Sequence, residues 1–186
     1  MMNQTADAAA FNALDHSHTD QNWDLTALSR YTPDSTQSYE FGYAQKSRSA
    51  NLDQWYTWSG DSMMMVMNNL AGDGNGYLGN NNLKPEVAHT LSTTASWHDT
   101  AQAKWEAALT PYDTYVSNYI DAQRCPVGTS CYTAANSKAT TGFVNLQYVN
   151  QSAQIYGFDL SGYHNPGRYG NYGDLTAKAV LSYTRG

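Results

Sequence analysis

No run of lysine or arginine occurs anywhere in this sequence, whose 186 residues carry a net charge of −6. A nucleic-acid surface needs a basic patch, so nucleic acid is excluded as a partner. No stretch approaches the ~20 apolar residues of a membrane helix, which excludes helical spans but not strands, for which ~9–11 residues of alternating pattern suffice. Residues 1–20 lack the basic start and apolar centre of a secretory signal, so an exported protein would carry its signal upstream of this start. Catalytic constellations are missing too: no Ser/His/Asp or Cys/His arrangement at an elbow, and no phosphate-cradling glycine motif. No enzyme is expected, and no catalytic residue is assigned.

Cysteine is scarce. Cys125 and Cys131 are the only two, six apart in a Pro/Gly/Ser/Thr stretch. With no histidine beside them and no second pair, they fit a loop-closing disulfide better than a zinc site. Such a disulfide implies an oxidising compartment.

Branched aliphatics are sparse and hydrophobic residues reach 41%, but aromatics make up 13%, with 15 tyrosines. Tyr and Trp suit surfaces that are apolar at one end and wet at the other, membrane interfaces included. Residues 1–22 are polar and read as a loop. Period-two alternation then marks six strands, over residues 23–31, 38–46, 90–98, 104–119, 142–164 and 175–184. In the third, Leu91, Thr93, Ala95 and Trp97 share a mildly apolar face, and Thr90, Ser92, Thr94, Ser96 and His98 a polar one. A soluble sandwich buries bulkier Val, Ile or Leu; a mild face ending in Trp fits a membrane stave. Pro111 would forfeit a ladder bond, so a bulge or a free side is expected there, and another bulge near Asn150. No properly capped helix is read.

The stretches before and between these strands alternate long and short. A transmembrane barrel sorts its connections in this way, with short turns at one rim and long loops at the other. The expected fold is all-β: an antiparallel up-and-down meander of about six long strands, part of a transmembrane β-barrel.

The run Asn80-Asn81-Asn82-Leu83-Lys84-Pro85-Glu86 is close to the N-P-D-L-K-P-E of TonB-dependent outer-membrane receptors. Ser47-Arg48-Ser49-Ala50-Asn51-Leu52 is similar to their R-x-P-N-L, and Asn150 to Leu160 to their N-x-x-x-A-x-I-x-G-[VF]-E. Order and spacing agree, and the likeness covers most of residues 23–186; Asn81 and Ala50 stand where the family has proline. The resemblance implies a barrel of about 22 strands with an N-terminal plug. It also implies import of a scarce nutrient (a metal ion, siderophore complex or haem) on energy passed from an inner-membrane TonB complex. The implied location is the bacterial outer membrane, with its lipid as a partner. Residues 1–22 then read as a remnant of an extracellular loop and 23–186 as part of the barrel, without plug. Six strands cannot close, so alone the chain is expected not to transport.

Candidate site residues fall in the long connections. Trp55, Tyr56 and Trp58 could stack on a planar or sugar-like ligand, or pack a loop over the barrel mouth. Met63, Met64, Met65 and Met67 form a thioether run that, with His16 and His18, could capture copper; the plainer reading is gap-filling methionine and solvated histidine. No resident cofactor is expected, only a transported metal such as copper or an iron complex. Asp73-Gly74-Asn75-Gly76 lacks the glutamate that closes a calcium loop, since Lys84 stands there, and reads as a turn. A rival to the receptor is a secreted or surface all-β module that recognises a glycan through its Trp/Tyr-rich loops.

Overall fold

The computed structural model describes residues 6–58, 72–168, 170–171 and 173–186. Seven strands form one sheet: β1 (Leu25–Asp34), β2 (Gln37–Arg48), β3 (Gly76–Leu78), β4 (Glu86–His98), β5 (Trp105–Arg124), β6 (Asn145–Arg168) and β7 (Asp174–Arg185). Their order is β1-β2-β4-β5-β6-β3, with β7 also on β6. The six long strands are the expected all-β antiparallel meander, and the sheet does not close on itself. The seventh strand, β3, was not foreseen; it pairs in parallel with the start of β6, Gly76 opposite Asn145. Three residues cannot show a period, which is why alternation missed it.

Among the described residues, three short helices correct the expectation of none: α1 (Ala6–Asn12), α2 (Leu52–Tyr56) and α3 (Ala134–Lys138). The first lies in the stretch read as loop. Each spans at most two turns, too little for a 3.6-residue pattern, so local caps fix them instead. In α2, Asn51 and Gln54 form a reciprocal capping box. In α3, the Thr133 hydroxyl accepts from Asn136 N.

Strand ends differ from the alternation by a few residues. β1 runs through Pro33 to Asp34, whose carboxylate accepts from Thr36 N at 2.8 Å and so shapes a two-residue turn. The left-handed residue of β5 is Asn118, at φ 54°, and the β6–β7 register shifts between His164 and Gly167.

The chain forms two compact units. One, here the loop unit, comprises Met1–Asn22, Ser47–Glu86 and Ser117–Ser152; the other, the strand unit, comprises Trp23–Lys46, Val87–Val116 and Ala153–Gly186. Among the described residues, every buried apolar side chain except Val116 lies in the loop unit. The strand unit is one layer of sheet, and its apolar residues have no second layer to cover them. Leu91 is 62% exposed and Phe41 55%. Tyr31 stacks on Tyr39 and Tyr39 meets Trp97 edge-on, while Phe158 stacks on Tyr183. The opposite face is polar. Thr90 bonds Thr114, Thr94 bonds Thr110, and Arg30 pairs with Glu40. Tyr112 reaches Thr184 across β6 at 2.6 Å, over Gly157, where a Cβ would lie 2.9 Å from the phenol oxygen. No helix of the described residues is long and apolar enough to cross a membrane.

The β4–β5 turn is held by one carboxylate. Asp99 Oδ1 accepts from the amides of Ala103, Lys104 and Trp105 at 3.0, 2.8 and 3.1 Å. The Lys104 amide leads the groups that hold this carboxyl below its usual range; slight desolvation opposes it, and the Trp105, Ala101 and Ala103 amides reinforce it.

Two predictions follow from this geometry. On the expectation that β4 is a membrane stave, single cysteines at Thr93 and Thr94 of the full-length protein should label unequally with an aqueous thiol reagent, Thr94 reacting and Thr93 shielded by lipid. Equal labelling would undo the assignment of faces. A depressed folded-state pKa means the Asp99 contribution is complete above the unfolded value of about 3.9 and is lost as pH falls through the folded one. Amide protection at Ala103 to Trp105 should therefore fall below about pH 4 in the wild type and show no such step in Asp99→Asn.

Candidate functional site

The loop unit is assembled around the run Leu83-Lys84-Pro85-Glu86, each residue held in a different way. Leu83 is buried with Ala50 and Ile120, and Trp55 and Tyr148 pack against the three. The backbone of Lys84 is clasped by one side chain: its N–H donates to Asn150 Oδ1 at 2.8 Å and its carbonyl accepts from Asn150 Nδ2 at 3.0 Å. The carbonyl of Pro85 accepts from Asn118 Nδ2 at 3.3 Å. Glu86 receives Arg48 Nε on one oxygen, at 2.6 Å, and the Ile120 amide on the other, at 2.7 Å. Ala50 and Arg48, Leu83 to Glu86, and Asn150 come from three distant motifs and meet in one place.

An aromatic cluster stands beside this scaffold. The capping box of α2 projects Trp55 and Tyr56, and Trp58 follows the helix. His18 stacks on Trp55, with centroids 4.7 Å apart and planes 11° apart. Phe11 meets His16, Tyr56 and Trp58 at 4.5, 6.3 and 6.0 Å. Tyr56 OH donates to the carbonyl of His16 at 2.9 Å. The histidines and the Trp/Tyr cluster, proposed separately from sequence, thus share one site. Met63, Met64, Met65 and Met67 lie outside the described residues.

Both histidines already use a ring nitrogen. His16 Nε2 bonds the carbonyl of Phe11 at 2.8 Å, and His18 Nε2 bonds Asn81 Oδ1 at 2.7 Å. Since Asn81 Nδ2 donates to Asp15 O, its oxygen is the acceptor, which makes His18 Nε2 the protonated nitrogen. Among the described residues, no group of three or more His, Cys, Asp or Glu is placed to hold a metal ion.

β3 carries the far wall. Gly79 N donates to Thr57 O at 2.6 Å and Asn80 N to Gln54 O at 2.8 Å, so β3 lies directly on the end of α2. A Cβ at Gly79 would sit 2.7 Å from Trp55 O, which restricts the position to glycine. Asp73 accepts from Asn75 N and Tyr77 OH, making the Asp73–Gly76 segment a side-chain-closed turn. Burial, then the bond to Asp73, pushes the Tyr77 phenol up. Leu78 packs on the disulfide that joins Cys125 to Cys131, both 2% exposed, with Tyr132 against them.

The family model described as TonB dependent receptor-like, beta-barrel matches residues 3–186. The chain belongs to the TonB-dependent receptor β-barrel family. Among solved structures, the siderophore receptor PirA from Pseudomonas aeruginosa is similar at 20% identity and a TM-score of 0.60, over 88% of this chain and 28% of that one. The PirA siderophore receptor from Acinetobacter baumannii is similar at 19% identity and a TM-score of 0.58, over 88% of this chain and 23% of that one. The chain therefore spans about a quarter of the receptors it resembles in fold. No curated protein matches it.

Family membership favours the barrel over a free-standing glycan-binding module, and it gives the three motifs a shared physical meaning. In this TonB-dependent receptor chain they are the residues that tie long connections to strand ends. Phe11, Gly79, Asn81 and Asn118 were not singled out from sequence as site residues. Asn81 had been noted only as a departure from proline, and the Asn51-x-x-Gln54 spacing was the one local signal for α2.

The Glu86 side chain is only 12% exposed, and replacing it leaves the buried Ile120 amide without its acceptor and removes the half-exposed ion pair with Arg48. Glu86→Ala in the intact receptor should cost about 1–3 kcal/mol of stability. Denaturant titration and limited proteolysis of the loop unit would measure it; a loss below about 0.5 kcal/mol would remove Glu86 from this role.

Proposed function

We propose that this chain forms six strands of an outer-membrane transporter that imports a scarce nutrient, a siderophore-bound iron complex being the leading case. Family membership supports the transporter reading, and the fold likeness to two siderophore receptors supports the ligand class. The observation that carries it is the contrast between the two units. The strand unit exposes an apolar aromatic face that only lipid would cover, whereas the loop unit has its own core and displays aromatic side chains on it. In this reading the strands span the outer membrane, the loop unit contributes to ligand capture through Trp55, Tyr56 and Trp58, and a TonB complex supplies the energy. It assigns no enzymatic step.

Copper capture is a second reading, favoured by one observation: His16 and His18 stand in the same cluster, each with Nε2 engaged, which leaves Nδ1 as the ligand nitrogen. It would draw further ligands from Met63, Met64, Met65 and Met67.

The test uses a host strain that lacks the gene and carries the intact receptor on a plasmid. Uptake of a radiolabelled ferric siderophore should depend on both the receptor and TonB. The triple change Trp55, Tyr56 and Trp58→Ala should weaken its binding about tenfold or more, equivalent to ~1.4 kcal/mol, with the barrel still folded. TonB-independent growth rescue, or unchanged binding in the triple variant, would refute the assignment. Copper accumulation that is lost in a His16, His18→Ala double variant would favour the second reading.

A further inference from the structure

The loop unit carries an open cleft with a volume of about 190 Å3 whose wall includes Phe11, Leu14, Trp55, Trp58, Gly79 and Asn81. None of the described residues that line it is charged. Two sides of the wall come from different stretches of chain. One is the end of α2 with the start of the chain after β3; the other is the segment from α1 to Leu14, which is not paired to any strand.

That second side is held by a clasp. Asn81 Oδ1 accepts from His18 Nε2 at 2.7 Å, and its Nδ2 donates to the carbonyl of Asp15 at 2.8 Å. One side chain thus makes two bonds to the stretch that follows Leu14. A proline, which the resembled motif has at this position, could make neither. The departure from the motif and the clasp on the cleft are the same residue.

Size and charge define the ligand class. A sealed apolar cavity of about 150 Å3 accepts a benzene molecule, so this cleft has room for one ring of a ligand whose remainder lies outside it. Aromatic walls favour a planar guest. The loop unit carries eight acidic against four basic side chains, a balance of −4, and offers an anion no cation in the wall. With no cation in the described wall, a carboxylate entering it would lose water without gaining a partner.

We infer that the cleft is a subsite for one planar, uncharged aromatic group of a ligand, and that Asn81 is the positioning residue that holds its wall. The inference rests on the loop unit's taking part in ligand capture, but its test does not use transport. Benzamide and benzoate, matched in size and differing in charge, are titrated into the intact detergent-solubilised receptor, and binding is read by saturation-transfer NMR near neutral pH. Benzamide should bind about tenfold or more tightly than benzoate. Asn81→Pro and Asn81→Ala should each weaken benzamide about fivefold or more; the alanine variant keeps the ordinary backbone freedom that proline removes. Benzoate binding as tightly as benzamide would overturn the inference, as would unchanged benzamide binding in both variants. A receptor that imports its iron complex but binds no benzamide would overturn the subsite and leave the transport reading intact. One that binds benzamide as expected but imports nothing would do the reverse.

Discussion

The carboxylate of Glu86 is the point on which the loop unit depends. It receives a guanidinium from the end of β2 and a backbone amide from β5, and it is itself the first residue of β4. A buried carboxylate is costly unless its lone pairs are used, and here both oxygens have a donor. Arg48 is half exposed, so the ion pair by itself contributes modestly. The larger effect is geometric. With Glu86 fixed, Asn118 and Asn150 can close on Pro85 and Lys84, Leu83 is directed into the cluster with Ala50 and Ile120, and the aromatic residues on α2 acquire a floor.

A different constraint governs the strand unit. In water, a sheet with one apolar face demands a second layer; here the described residues supply none. In lipid the demand disappears, and what must be satisfied is the backbone. Each unpaired amide or carbonyl in hydrocarbon costs several kcal/mol. The outer strands β1 and β7 are exposed along their whole length, so their free edges call for further strands of the same barrel. This agrees with a chain that spans about a quarter of the receptors it resembles in fold.

How much of this could be read from sequence depended on the length of each signal. β4 declares itself because Leu91, Thr93, Ala95 and Trp97 alternate with Ser92, Thr94 and Ser96 over enough residues to be unmistakable. The alternation of long and short connections was legible for the same reason. β3 has three residues and pairs with a strand 69 positions away, a contact that no local pattern encodes. The helices were missed because a capping box is a two-residue signal in a background of polar residues. The convergence of Arg48, Glu86 and Asn150 was half legible: the motifs were seen, but nothing in one dimension says that they touch.

The candidate site shows how the family frame and the individual chain divide the work. The residues shared with the family motif, from Leu83 to Glu86, are used up in building: Leu83 and Glu86 bury their side chains in the scaffold, and the backbone groups of Lys84 and Pro85 are taken by Asn150 and Asn118. A group that meets a ligand therefore has to lie beside them, where the scaffold leaves side chains free. Asn81 is such a position. It sits in the same loop as the motif, yet its side chain turns to His18 and Asp15 and lines the aromatic cleft. Gly79, two residues earlier, is restricted by the backbone of Trp55 and can contribute only shape. In a loop whose other members are committed to Glu86, Asn150 and α2, a change at Asn81 would alter the cleft without disturbing the frame. Under the proposed subsite, Asn81 is thus a position where ligand preference could change separately from folding.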